Sequence, residues 1–167
     1  PLGRAMESHV SAAVAAFVRG DPVCLFDAEN REGETDLLFP AQAAIPATMR
    51  QLRQDCGGLL FLAIGDEVGE KFDLPFLQDI YMNKKLVEEH PVLSVLQTND
   101  LQYDPRSAFT LSINHRETFT GITDRDRALT TRRFAELYAE LSSASREESL
   151  TFLCLVCRAP CLFLACG

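Results

Sequence analysis

Apolar positions along the chain alternate between helical and extended spacing. Val10, Ala13, Val14, Phe17 and Val18 recur at three- and four-residue intervals, and Gly20 suits the end of the helix they predict. Pro22 to Phe26 has the length and content of a short buried strand. A dense polar stretch follows from Asp27 to Asp36, and Leu37 to Ala41 turns apolar again. Ile45, Met49 and Leu52 mark one face of a helix opened by Pro46, a favoured first-turn residue. Gly57-Gly58 ends that helix, and Leu59 to Ile64 predicts a strand. Residues 65–105 carry weak periodicity with scattered Pro, Gly and Asp, which predicts a short helix and a long exposed loop. Ala108 to Ile113 alternates as a strand does. Thr123 or Asp124 can then cap a helix over Arg125 to Leu141, with Leu129, Phe134, Leu137, Tyr138 and Leu141 facing inward. Strands and helices interleave irregularly, so the expected fold class is α+β, a mixed sheet with helices packed around it. There is no internal repeat and no low-complexity linker.

Composition narrows the possibilities. With 167 residues, 47% hydrophobic and 24% charged, the chain can bury one real core. A formal charge of −8 argues against a nucleic-acid partner, but a small phosphorylated ligand needs only a few local donors. Residues 1–5, Pro1-Leu2-Gly3-Arg4-Ala5, have the character of a leftover from protease cleavage and cloning, with Met6 as the natural start. No basic flank and apolar run of a signal peptide follows Met6, so the cytoplasm is the expected compartment. Cys24 and Cys56 stand alone, whereas Cys154, Cys157, Cys161 and Cys166 crowd the last fourteen residues.

Two stretches could carry chemistry. Asp27 to Asp36 places five carboxylates and Arg31 within ten residues, directly after an apolar strand. Such a loop offers hard oxygen ligands for Mg²⁺ and a guanidinium for an oxyanion; the plain alternative is a solvated acidic loop. Phe119 to Arg127 runs from a strand end through Gly121 into a helix start, where hydroxyls and free N–H groups favour phosphate. An ordinary capped helix start explains the same residues. His115, at the end of an apolar strand, fits a structural residue better than a ligand, and His9 and His90 have no motif around them.

These segments, in order, resemble the 3,4-dihydroxy-2-butanone 4-phosphate synthase family, especially its archaeal branch. The resemblance is carried by Asp27 to Asp36, Asp55-Cys56-Gly57-Gly58-Leu59, Ser112-Ile113-Asn114-His115-Arg116, and Thr118 to Ala128. It implies a lyase of riboflavin biosynthesis that converts D-ribulose 5-phosphate into dihydroxybutanone phosphate and formate. It further implies Mg²⁺ or Mn²⁺, a homodimer, and neither a nucleic-acid nor a membrane partner. Carried over by position, Glu32 is expected to bind the metal and take part in catalysis, with Asp27 and Glu34 as further catalytic carboxylates. Arg31 and Asp36 are expected to hold the substrate, joined by Thr120, Gly121 and Thr123. The alternative is a catalytically impaired homologue acting as a binding or interaction protein.

Two departures stand out. Phe61 occupies the position of a family Cys, and Cys56 is too far along the chain to replace it. The Pro-Gly-His and Gly-His-Thr-Glu motifs that family members carry further on, including the second metal ligand, have no match after Leu141. The synthase-like domain is therefore placed at 6–148, and 149–167 is set apart as an atypical apolar, Cys-rich tail. Four accounts of that tail compete: a zinc or iron–sulfur site, a membrane anchor, apolar strands packed on the core, and a shifted reading frame or alternative splice end. The last is preferred, and it implies little or no turnover by this chain alone.

Overall fold

The computed structural model describes residues 2–96 and 101–166, with side chains described throughout except at 2–8, 155 and 158–166. Helix α1 (Leu2–Val18) leads into an antiparallel ribbon of β1 (Val23–Phe26) and β2 (Thr35–Leu38). Gly20, at φ +92°, makes the turn between them, a conformation that costs glycine nothing. A 3₁₀ turn at Ala41–Ala43 precedes α2 (Pro46–Asp55), and β3 (Phe61–Ile64) follows. Residues 65–105 do not form one short helix and a long loop. They hold α3 (Asp66–Lys71), α4 (Leu77–Tyr81), α5 (Lys84–Glu89) and a 3₁₀ helix at Pro91–Leu96; residues 97–100 of the expected loop lie outside the described residues. Each α-helix of that group has at most six residues, too few to establish a period, and α5 depends on Asn83, whose side chain accepts from Lys85 and Leu86 N–H.

The second half begins with β4 (Phe109–His115) and α6 (Asp124–Glu140), followed by α7 (Arg146–Val156) and β5 (Cys157–Cys166). Strand β5 is the middle of a three-stranded mixed sheet, parallel to β3 and antiparallel to β4. The fold is α+β with a mixed sheet, as expected. The 148/149 boundary falls inside α7, and the tail forms the sheet's central strand, the arrangement closest to apolar strands packed on the core. Helix α7 opens on Ser145 and Glu148, whose side chains bond each other's backbone N–H in a reciprocal capping box.

One core joins these elements. Phe72, the residue that caps the end of α3, meets Phe134 at 5.4 Å and Tyr138 at 6.4 Å, and Val68, Ile113, Leu137 and Leu141 complete the buried cluster. Leu153 and Val156 of α7 pack against it. A smaller cluster of Ala44, Met49 and Ala128 ties α2 to α6, and Arg53 grips Asp124 through both oxygens at 3.1 and 3.0 Å. Lys71 Nζ donates to the Ser142 and Ala144 carbonyls, holding the turn between α6 and α7. The expected inward face of α6 is observed at Phe134, Leu137 and Leu141, while Leu129 is only half-buried.

The ribbon departs from expectation. Cys24, Leu25 and Phe26 of β1 are exposed rather than buried, because β1 and β2 pair only with each other and no layer covers them among the described residues. The apolar face of α1 is also open, with Val18 at 81% exposure. Replacing Ser145 with Ala removes one half of the capping box and should lower stability by about 1 kcal/mol. A chemical-denaturation midpoint that does not move would show that α7 does not depend on this cap.

Candidate functional site

The acidic loop is built around Asp27, the first residue after β1. Its two carboxylate oxygens accept the Glu32 and Glu34 backbone N–H groups, each at 3.0 Å, and its own N–H donates to the Glu34 carbonyl at 3.2 Å. Arg31 N–H closes a turn onto the Ala28 carbonyl at 2.9 Å, and Gly33 takes φ +65° to bring the chain back toward β2. The Arg31 guanidinium then binds Glu32 at 2.8 Å, Asp104 at 3.0 Å and Asp27 at 3.5 Å, and lies 5.7 Å from the centre of the Tyr103 ring. Glu32, followed by Asp104, raises its pKa further above the ordinary arginine value. Tyr103 and Asp104 belong to the stretch whose pattern is weakest, and nothing in the sequence pairs them with Arg31 over seventy residues away.

Asp27, Arg31, Glu32 and Glu34 are therefore brought together. Asp36 sits on β2 opposite Leu25, and Glu34, Asp36 and the rest of β2 line a cleft of about 1070 Å³. Phe61 and Cys56 line the same cleft, so Cys56 is closer to the Phe61 neighbourhood than its sequence position suggests. Phe61 also meets Phe109 edge-on at 5.8 Å.

Thr120, Gly121 and Thr123 gather around a different carboxylate. Asp126 is buried, and it accepts the backbone N–H groups of Phe119, Thr120 and Gly121 at 3.3, 3.0 and 2.9 Å and the Thr120 hydroxyl at 3.4 Å. Burial alone would raise its pKa. The three backbone donors outweigh that cost and leave it below the ordinary aspartate value. The Thr123 hydroxyl accepts the Asp126 N–H and caps α6. The amides of Thr120 and Gly121 that sequence reasoning offered to a phosphate thus face a carboxylate of the chain itself. Gly121 has φ +80°, and a Cβ there would collide with the Asn114 side-chain amide.

His115 belongs to the same framework. It is buried, its Nδ1 accepts Glu117 N–H at 3.2 Å, its backbone N–H donates to Thr130 Oγ1 at 3.1 Å, and its carbonyl accepts the Thr118 hydroxyl at 2.7 Å. These contacts give it the structural role expected of it. Among the described residues no group of three or more His, Cys, Asp or Glu side chains is placed to hold a metal ion. Cys154 and Cys157 are free thiols, and burial pushes Cys157 up to about 11; the side chains of Cys161 and Cys166 lie outside the described residues.

Burial holds the His115 pKa below its ordinary value. The native state therefore binds fewer protons at this site than the unfolded chain does. The contribution is intact above the unfolded value of about 6.5 and is lost as pH falls through the depressed folded value. Urea midpoints should drop between pH 7 and pH 5, and His115→Gln should flatten that slope; an unchanged slope would mean other groups set it. Asp126→Ala leaves three backbone donors without their acceptor and should cost about 2 kcal/mol, read from the same titrations at pH 7.

A family model described as 3,4-dihydroxy-2-butanone 4-phosphate synthase matches residues 11–151. Proteins of that name from Methanothermobacter thermautotrophicus and Archaeoglobus fulgidus are each 44% identical, over 121 and 131 residues. These alignments cover 72% and 77% of this chain but 52% and 54% of the relatives, so the chain spans about half the length of the curated relatives it matches. A crystal structure of a synthase of this name in complex with two magnesium ions superposes with a TM-score of 0.62 at 24% identity, covering 95% of this chain and 59% of that one. A two-domain synthase from A. baumannii gives the same TM-score at 19% identity. With the family model spanning most of its length, the chain belongs to the 3,4-dihydroxy-2-butanone 4-phosphate synthase family.

Proposed function

We propose that the chain serves the conversion of D-ribulose 5-phosphate to 3,4-dihydroxy-2-butanone 4-phosphate and formate, supplying the acidic-loop half of the site. The observation that carries this reading is the Asp27-centred loop, which gathers Arg31 and Glu32 and sets Glu34, with Asp36 of β2, on the lining of a cleft large enough for a sugar phosphate. Ribulose 5-phosphate carries a ketone, and its rearrangement begins with loss of a proton from the neighbouring carbon. Glu32 and Glu34 are the proposed proton-handling carboxylates. Asp27, with each oxygen already accepting a backbone N–H, fixes the loop that presents them. Arg31 and Asp36 are the proposed substrate-holding residues. Arg31 would exchange part of its contact with Glu32 and Asp104 for a substrate oxyanion, an exchange between exposed partners that costs little. Thr120, Gly121 and Thr123 are proposed to border the substrate as the turn that Asp126 holds in place.

The donors on this chain do not by themselves fit a metal centre. Glu32 is a single exposed carboxylate facing Arg31, and Mg²⁺ gives up its waters reluctantly. Glu32 can be at most one ligand of a shared Mg²⁺ or Mn²⁺ site. A homodimer in the cytoplasm is proposed on the resemblance. The net charge of −8 fits the absence of a nucleic-acid partner, and no described helix is long and apolar enough to cross a membrane. The impaired-homologue alternative is not favoured, since each relative named above is a synthase by name.

The test is a graft. Residues 11–151 of this chain replace the matched stretch of the Methanothermobacter protein, and formate release from ribulose 5-phosphate is followed with and without Mg²⁺. The expected result is metal-dependent formate that falls about 100-fold or more in Glu32→Ala. A folded graft that releases no formate would overturn the reading.

A further inference from the structure

Among the described residues Arg31 has three carboxylate partners, and they are not equally free to leave it. Asp27 commits both oxygens to the Glu32 and Glu34 backbone N–H groups, so its withdrawal would dismantle the loop. Glu32 is the next residue along the chain and shares Nη1 with Asp27, so it stays close whatever the guanidinium does. Asp104 takes the other nitrogen, Nη2, at 3.0 Å, and Arg31 is the one hydrogen-bond partner its side chain has among the described residues. It is also more than half exposed, so water replaces the guanidinium as soon as the pair opens. A carboxylate oxygen at this distance from Nη2 occupies the place that an incoming oxyanion would take.

Asp104 belongs to a segment with two separate holds. At one end the Tyr103 ring and the Asp104 carboxylate both meet Arg31. At the other, Arg106 pairs with Asp79 of α4 at 2.6 Å and lies 3.8 Å from the centre of the Phe76 ring, and Ser107 N–H donates to Gln78 Oε1 at 3.0 Å. Residues 101–106 make no main-chain to main-chain hydrogen bond among the described residues, so side chains do the holding. Pro105 separates the two holds. Its ring fixes its own φ and keeps Asp104 extended, which makes the link between them short and stiff. Everything that holds Tyr103 and Asp104 depends on Arg31, and nothing that holds Arg106 does.

We propose that Asp104 is a positioning residue for Arg31: it holds the guanidinium before substrate binds and is the partner that the substrate oxyanion displaces. Its displacement frees Tyr103 and Asp104 about Pro105, while Arg106 stays on α4. The proposal rests on the reading of Arg31 as a substrate-holding residue.

The test is an NMR titration of the full chain with ribulose 5-phosphate, followed on the Arg31 Nε–H signal and on the backbone heteronuclear NOE of Tyr103, Asp104, Arg106 and Ser107. The substrate is expected to shift the Arg31 signal and to lower the NOE at Tyr103 and Asp104, with Arg106 and Ser107 unchanged. Asp104→Asn removes the competing charge and is expected to bind about two- to fivefold more tightly, the range that an exposed ion pair supports. Asp104→Glu keeps the charge and is expected to bind as the parent chain does. Tighter binding is a gain that damage to the fold does not produce. Equal or weaker binding by Asp104→Asn, or an NOE that falls as far at Arg106 as at Asp104, would overturn the proposal and leave the role of Arg31 standing. A titration that moves no Arg31 signal would overturn both.

Discussion

A buried carboxylate is costly unless it is surrounded by donors, and Asp126 sets the middle of this molecule by that rule. Its side chain collects the amides of 119–121, which folds the turn back onto the first turn of α6. Its carbonyl accepts the Thr130 hydroxyl, and the Thr130 oxygen in turn accepts the His115 N–H at the end of β4. Strand, turn and helix are thus fixed by one run of hydrogen bonds with no apolar contact in it. The aromatic core of Phe72, Phe134 and Tyr138 lies further along the same helix, so its placement follows from that anchoring. Arg53 on α2 holds Asp124 at the same helix start and extends the arrangement to the smaller cluster.

The acidic loop uses the opposite strategy. Its charges are largely exposed, and only Asp27 organises backbone; the rest is ion pairing between flexible groups. Such pairs are individually weak and screened by salt. They let the Arg31 guanidinium exchange one oxyanion partner for another at little cost. The two regions therefore differ in kind: a rigid framework around Asp126 and an adaptable rim around Arg31.

What the sequence revealed follows from the range of the forces involved. Helices α2 and α6 were legible because Pro46, Thr123 and the Phe134–Leu137–Leu141 spacing are local signals. The acidic loop was legible as a candidate for the same reason. The short helices α3 to α5 were not, since none is long enough to show a period and their burial comes from distant partners such as Phe134 against Phe72. The Asp126 contacts were hidden by a reading that treated helix-start amides as vacant. The abrupt change of composition drew attention away from Ser145 and Glu148, which announce α7 with a capping box. The partnership of β5 with β3 links residues about a hundred apart, which no local pattern encodes.

The contact between Gly121 and Asn114 restricts what can change here. Two independent locks act on position 121: its positive φ, which disfavours any side chain, and the Asn114 amide that fills the space a Cβ would need. Shortening residue 114 would open the second lock and leave the first in place. A substitution at 121 therefore has no single compensating partner. Drift at this position has to pass through a rebuilt backbone, whereas its exposed neighbours Phe119 and Ile122 carry no such lock.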